Sequence, residues 1–173
     1  MKTKGNLEAI KALREKTSAS LNDVRAALES AGGDEAKALE FLRRRGAAIA
    51  EKRQGRATGQ GRVEAYVHHN GRLGSLVEVN CETDFVARTP EFLQFCRDVA
   101  MQVAAMNPRY LRVEDIPPNG GLSAEEVKDA CLLEQPSVKD PGVSVQELLK
   151  ALIAKTGENV VIRRFARFTL GET

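Results

Sequence analysis

Apolar residues recur at helical spacing through the first 46 residues, in three short blocks. Leu7, Ile10 and Leu13 fall on one face behind Asn6, a residue suited to cap a helix start. Leu21, Val24, Ala27 and Leu28 form a second stripe, with Ser20 and Asp23 able to cap it and Gly32-Gly33 to end it. Asp34 is placed to cap a third helix carrying Ala38, Leu39 and Leu42, with Gly46 as its stop. Residues 1–46 therefore predict a three-helix bundle, marginal as a core at this size and suited to binding a partner. Residues 47–61, AAIAEKRQGRATGQG, lose the apolar period and read as a helical extension fading into a mobile basic linker.

From Arg62 the period changes to two. Val63, Ala65 and Val67 face one way, and Arg62, Glu64, Tyr66 and His68 the other. Asn70-Gly71 then predicts a hairpin with a type I′ turn, and the return strand places Leu73, Val77 and Val79 on one face. Thr89-Pro90-Glu91 opens a long helix with an N-cap, a first-turn proline and an acid at the positive end of the dipole. Phe92, Cys96, Val99 and Val103, widened by Leu93, Ala100 and Ala104, make a stripe broad enough to lie against a sheet. Asn107-Pro108 ends that helix. After a loop over 108–122, Ser123 with Glu126 and Ser144 with Glu147 look like capping boxes. The second of these helices carries Val145, Leu148, Leu149 and Leu152 and stops at Gly157. Residues 159–170 read as a last strand, with room for a bulge around Arg163 and Arg164. The predicted fold is α+β: the helical bundle, then a small antiparallel sheet packed against helices over 62–173.

Composition changes this picture little. Hydrophobic residues make up 42% and charged residues 29%, as in a globular chain, and no apolar run approaches the roughly 20 residues of a membrane span. The basic start leads into an amphipathic segment with no signal-peptide core, so a cytoplasmic address is the default. A net charge of +2 does not force a polyanionic partner. The arginines between Arg43 and Arg62 nevertheless raise nucleic acid as an alternative partner, against which stands the lack of interleaved aromatic residues.

Candidate chemistry is sparse. GxxxxGK[ST] and GxGxxG are both missing, so no loop cradles phosphates and no direct nucleotide binding is expected. His68 and His69 point to opposite faces of a strand, and Cys81, Cys96 and Cys131 lack ligand spacing; no metal, cofactor or disulfide framework is expected. A nucleophilic Cys81–His68 pair is conceivable if the strands neighbour each other, but nothing supplies an orienting third group. The chain does not read as an enzyme. What remains is the loop Cys81-Glu82-Thr83-Asp84-Phe85-Val86-Ala87-Arg88, which sets a phenylalanine and a valine beside an acid. Two readings are open: Phe85 folds back into the core, or it protrudes as an apolar anchor for a partner.

NCETDFVAR at 80–88, MNPRY at 106–110 and GENVVIRRFARF at 157–168 resemble the signatures of the elongation factor Ts family. LREKTSASLNDVRAAL at 13–28 is similar to that family's ubiquitin-associated-like three-helix domain, although Ser18, Ala19 and Ser20 replace its glycine-rich opening. The stretch between Pro117 and Leu132 also looks shorter than in relatives, and the long insert of the larger forms is absent. The resemblance implies a guanine-nucleotide exchange factor for the GTPase elongation factor Tu, in the compact form that works as a homodimer. It implies that Thr83, Asp84, Phe85 and Val86 enter near the partner's magnesium and nucleotide site, Phe85 as a wedge. It further implies that Leu13 and Arg14 touch the nucleotide-binding domain.

Overall fold

The computed structural model describes residues 2–17 and 19–172, with side-chain surroundings from Leu7 onward; Ser18 lies outside the described residues. The chain divides into two compact units. One comprises residues 1–55 together with 150–158, the other residues 56–149 together with 159–173.

The first unit contains α1 (Lys2–Thr17), α2 (Leu21–Ser30) and α3 (Glu35–Arg53). Ile10, Leu13, Val24, Ala27, Leu28, Ala38 and Leu42 form its core, as the helical spacing requires. The Ser20 side chain accepts the Asp23 N–H and that of Asp34 accepts the Lys37 N–H, so two of the three expected caps are in place. The third is not. Helix α1 begins at Lys2, which puts Asn6 inside the helix, and Leu7 on that stripe is exposed.

Helix α3 also runs past Gly46 to Arg53. A glycine stops a helix by taking a left-handed backbone, and Gly46 does not. The alanine-rich stretch after it sustains the helix and buries Ala50. Nearby lies the end of α7 (Val145–Thr156), whose residues from Lys150 belong to this unit; a Cβ added at Gly46 would sit 3.6 Å from that of Ala154.

The second unit holds a three-stranded antiparallel sheet in the order β1 (Gln60–Val67), β2 (Leu73–Cys81), β3 (Val160–Thr169). Helix α5 (Pro90–Met106) lies across one face, tied by the Ser75 hydroxyl donating to the Ala100 carbonyl at 2.6 Å. Val77, Val79, Cys81, Val160 and Ile162 meet Phe92, Phe95, Cys96, Val99 and Val103 in the core between them. The Thr89 cap and first-turn proline open α5, and Asn107 closes it in the left-handed conformation at φ 49°. Both capping boxes form, Ser123 with Glu126 ahead of α6 (Ala124–Ala130) and Ser144 with Glu147 ahead of α7.

Two strand details depart from expectation. The hairpin is present, but Gly71 alone takes positive φ, and its N–H donates to the His68 carbonyl at 2.8 Å. Asn70 keeps negative φ and uses its side chain to accept the Arg72 N–H, so the link is a longer loop and not a type I′ turn. On β1 the side toward α5 carries Glu64 and Tyr66, while Val63, Ala65 and Val67 face solvent. The expected bulge is there: the β2–β3 register shifts between Glu78 and Val79, leaving Arg163 as the extra residue.

Candidate functional site

The loop after β2 is not irregular. Asp84–Ala87 forms a single helical turn, α4, seated against the ends of β1 and β2 and the start of α5. Thr83 caps it, its side chain accepting the Val86 N–H, and Asp84 supplies the acid of the first turn. At the other end the Arg88 N–H donates to the Phe85 carbonyl at 3.3 Å and the Thr89 N–H to the Val86 carbonyl at 3.0 Å, and the Arg88 guanidinium pairs with Asp84 at 2.9 Å. Cys81, fully buried, donates its Sγ–H to the Thr83 carbonyl at 3.1 Å. The turn is therefore pinned from both sides.

This pinning separates the two apolar side chains. Val86 turns inward and is buried, whereas Phe85 is 80% exposed. The core-filling reading of Phe85 fails on this geometry: adjacent helical positions point about 100° apart, and Val86 takes the inward one. Thr83 and Asp84 sit half-buried beside it, so Thr83, Asp84 and Phe85 form one surface, while Val86, expected there too, is turned into the core beneath them. A cap residue followed by an acid, with an arginine four positions further on, was the sequence signal for this turn.

The other two candidates lie in the first unit. Leu13 is 1% exposed and belongs to the bundle core, so its side chain is not available to a partner. Its stripe with Ile10 buried it, which the helical period already required. Arg14, the next residue, is exposed.

The enzymatic readings lose their geometry. Cys81 pairs with Gln60 at one end of the hairpin and His68 lies at the other, some 25 Å away at strand rise. All three thiols are buried, and burial, followed by the Glu64 carboxylate, pushes Cys96 up to about 12. Among the described residues no three His, Cys, Asp or Glu side chains cluster to hold a metal ion. No described helix is long and apolar enough to cross a membrane.

The basic segment is also less free than its sequence suggests. Arg44 pairs with Glu40, Arg45 with Asp23, Arg56 with Glu82 and Arg62 with Glu64, so much of its charge is neutralised locally.

Comparison with known proteins gives the family. The family model for elongation factor TS matches residues 6–125. Elongation factor Ts of Carboxydothermus hydrogenoformans is 48% identical over 192 residues, covering 95% of this chain and 88% of its own. The protein of the same name from Rubrobacter xylanophilus is 48% identical over 191 residues, covering 95% and 98%. That from Caldanaerobacter subterraneus is 46% identical over 192 residues, covering 95% and 96%. These alignments are longer than the 173-residue chain, so the relatives carry residues with no counterpart here. With likeness running through both units at this level, the chain belongs to the elongation factor Ts family.

Proposed function

We propose that the protein is the guanine-nucleotide exchange factor of elongation factor Tu, binding the GDP-loaded GTPase and promoting GDP release without covalent chemistry of its own. The observation that carries this reading is Phe85, an aromatic side chain held out into water by a turn that is itself capped, ion-paired and anchored. Exposed there it adds nothing to the fold, and burying a phenylalanine is worth about 1.5–3 kcal/mol to whatever covers it. Wedged near the magnesium site, Phe85 would bring the Asp84 carboxylate with it. That charge can compete for a metal ligand or take a hydrogen bond from the partner. Arg14 is the exposed contact of the N-terminal unit, with Leu13 holding α1 in place beneath it. Exchange of this kind is a coupling between two sites: by whatever factor this protein loosens GDP, GDP loosens this protein.

The working form is a homodimer in the cytoplasm. Strand register places Val63, Ala65, Val67, Leu76, Ala166 and Phe168 on the face of the sheet away from α5, and Val63, Val67, Leu76 and Phe168 are exposed there. Among the described residues, strands β1 and β3 both keep an unpaired edge. A second copy with the same face and edges is the occupant that fits.

Release of labelled GDP from elongation factor Tu tests the proposal. The protein should accelerate release at substoichiometric amounts, bind no guanine nucleotide alone, and lose the GTPase as GDP is added. Tight GDP binding to this chain by itself, or no acceleration, would overturn the reading.

A further inference from the structure

Glu82 stands immediately before the turn that carries Phe85. One oxygen of its carboxylate accepts the Asn159 backbone N–H at 2.6 Å, and the other lies 3.5 Å from the Arg56 guanidinium. The Asn159 side-chain amide in turn donates to the Arg56 carbonyl at 2.8 Å. Three residues far apart in sequence thus close a ring. Asn159 is only 6% exposed and the Glu82 side chain 22%, so the ring is shielded from water on their side, while the Arg56 side chain, 49% exposed, closes it at the surface.

The places these partners occupy give the ring its meaning. Arg56 is where the chain first enters the sheet unit, and Asn159 is where it re-enters after the detour through residues 150–158. The β2–β3 ladder ends at the pair Cys81 and Val160, so Glu82 and Asn159 lie one step beyond it. There the backbone pairing is replaced by a side chain, which ordinary sheet continuation would not need. Of the three points at which the chain crosses between the units, two are held by the residue that leads into the Phe85 turn.

We infer that Glu82 is a positioning residue for exchange: it ties the Thr83–Val86 turn to both chain entries, so that a pull on either reaches the base of the wedge. The inference rests on the exchange reading above. Glu82 itself need not touch the partner. Its loss should leave docking intact and spoil the aim of Phe85.

The full-length protein tests this with Glu82→Ala, Glu82→Gln and Asn159→Ala. Each is assayed for GDP release from elongation factor Tu over a range of factor concentrations, with the melting temperature measured alongside. For Glu82→Ala the half-saturating concentration should stay within about twofold while the saturating rate falls on the order of tenfold or more. Glu82→Gln keeps the oxygen that accepts the Asn159 N–H and should restore most of that rate. Asn159→Ala keeps the N–H but loses the link to Arg56, and should fall between the two.

A saturating rate for Glu82→Ala equal to that of the unmodified protein overturns the inference. So does a loss confined to the half-saturating concentration. If Glu82→Ala melts below the assay temperature, Asn159→Ala decides, and an unchanged saturating rate there overturns it equally. An unmodified protein that fails to speed release would instead bring down the exchange reading itself.

Discussion

Phe85 and Phe92 are seven positions apart and make opposite demands on the molecule. Phe92 is fully buried beneath the sheet, and Phe92→Ala should cost roughly 3–5 kcal/mol, visible as a lower melting temperature. Phe85→Ala should change stability by less than about 0.5 kcal/mol, since an exposed side chain leaves no cavity. Its cost should appear in binding, about 2 kcal/mol or more, tens-fold in affinity for the GTPase. Asp84→Ala should also slow exchange while barely moving stability, because its pair with Arg88 is solvent-exposed. Melting curves and GDP release on these variants separate the two roles; a destabilised Phe85→Ala with full activity per folded molecule would refute the wedge. The thiols offer a further check. With Cys96 pushed up to about 12, its thiolate is scarce at pH 8, and alkylation of the native protein at that pH should leave Cys96 unmodified until denaturant is added. Both readings of Phe85 were open in the sequence, because an apolar residue between polar ones fits a core or an interface equally well. Only the helical turn begun by Thr83 decides which of Phe85 and Val86 points inward.

Elements with strong local chemistry are legible in the sequence. The N-caps Ser20, Asp34 and Thr89, the left-handed Asn107, both capping boxes and the Arg163 bulge all announce themselves through one or two residue types. Gly46 misled because a glycine marks a stop only when its backbone turns left-handed, and tertiary packing decided otherwise. The same fact yields a prediction. An added methyl at Gly46 would meet Ala154 at an ordinary contact distance, so Gly46→Ala should stabilise by about 0.5–1 kcal/mol. For a chain of this size that is a rise of roughly 1–4 °C in Tm. Gly61 should behave in the opposite way. At φ 151° an added Cβ would lie 2.2 Å from the Val79 carbonyl oxygen, so Gly61→Ala should cost about 1–3 kcal/mol, read as a lower denaturant midpoint. β1 shows the limit of period-two reading. Alternation separates Val63, Ala65 and Val67 from Glu64 and Tyr66, but does not say which set meets α5.

At the scale of the molecule, the sequence marks three stretches in order along the chain, whereas in the structure each of the two units is assembled from two separated segments, the helical one from residues 1–55 and 150–158. No local pattern reveals that, since the apolar stripe of α7 reads as one continuous helix. Its consequence for truncation is specific. A chain beginning at Arg56 loses α1 to α3, yet keeps residues 150–158 with Leu152 and Ile153, which are buried in the whole protein. Such a chain should bind the GTPase much more weakly in calorimetry, through loss of Arg14, and amide exchange should show the end of α7 less protected than in the full protein. Self-association should be non-covalent: the outer sheet face carries no cysteine, and the three thiols are buried. Sedimentation in reductant should show a dimer at micromolar concentration, and a monomer alone would count against it.

The split unit also bears on how the protein is born. The bundle core, Ile10 to Leu42, can gather as soon as its helices leave the ribosome. The far half of α3 must wait for Lys150–Glu158, which lie nearly a hundred residues downstream. At synthesis rates of about 5–20 residues per second that interval is on the order of 5–20 s. Throughout it the nascent chain carries an unfinished helical surface, completed only as the last strand is being made.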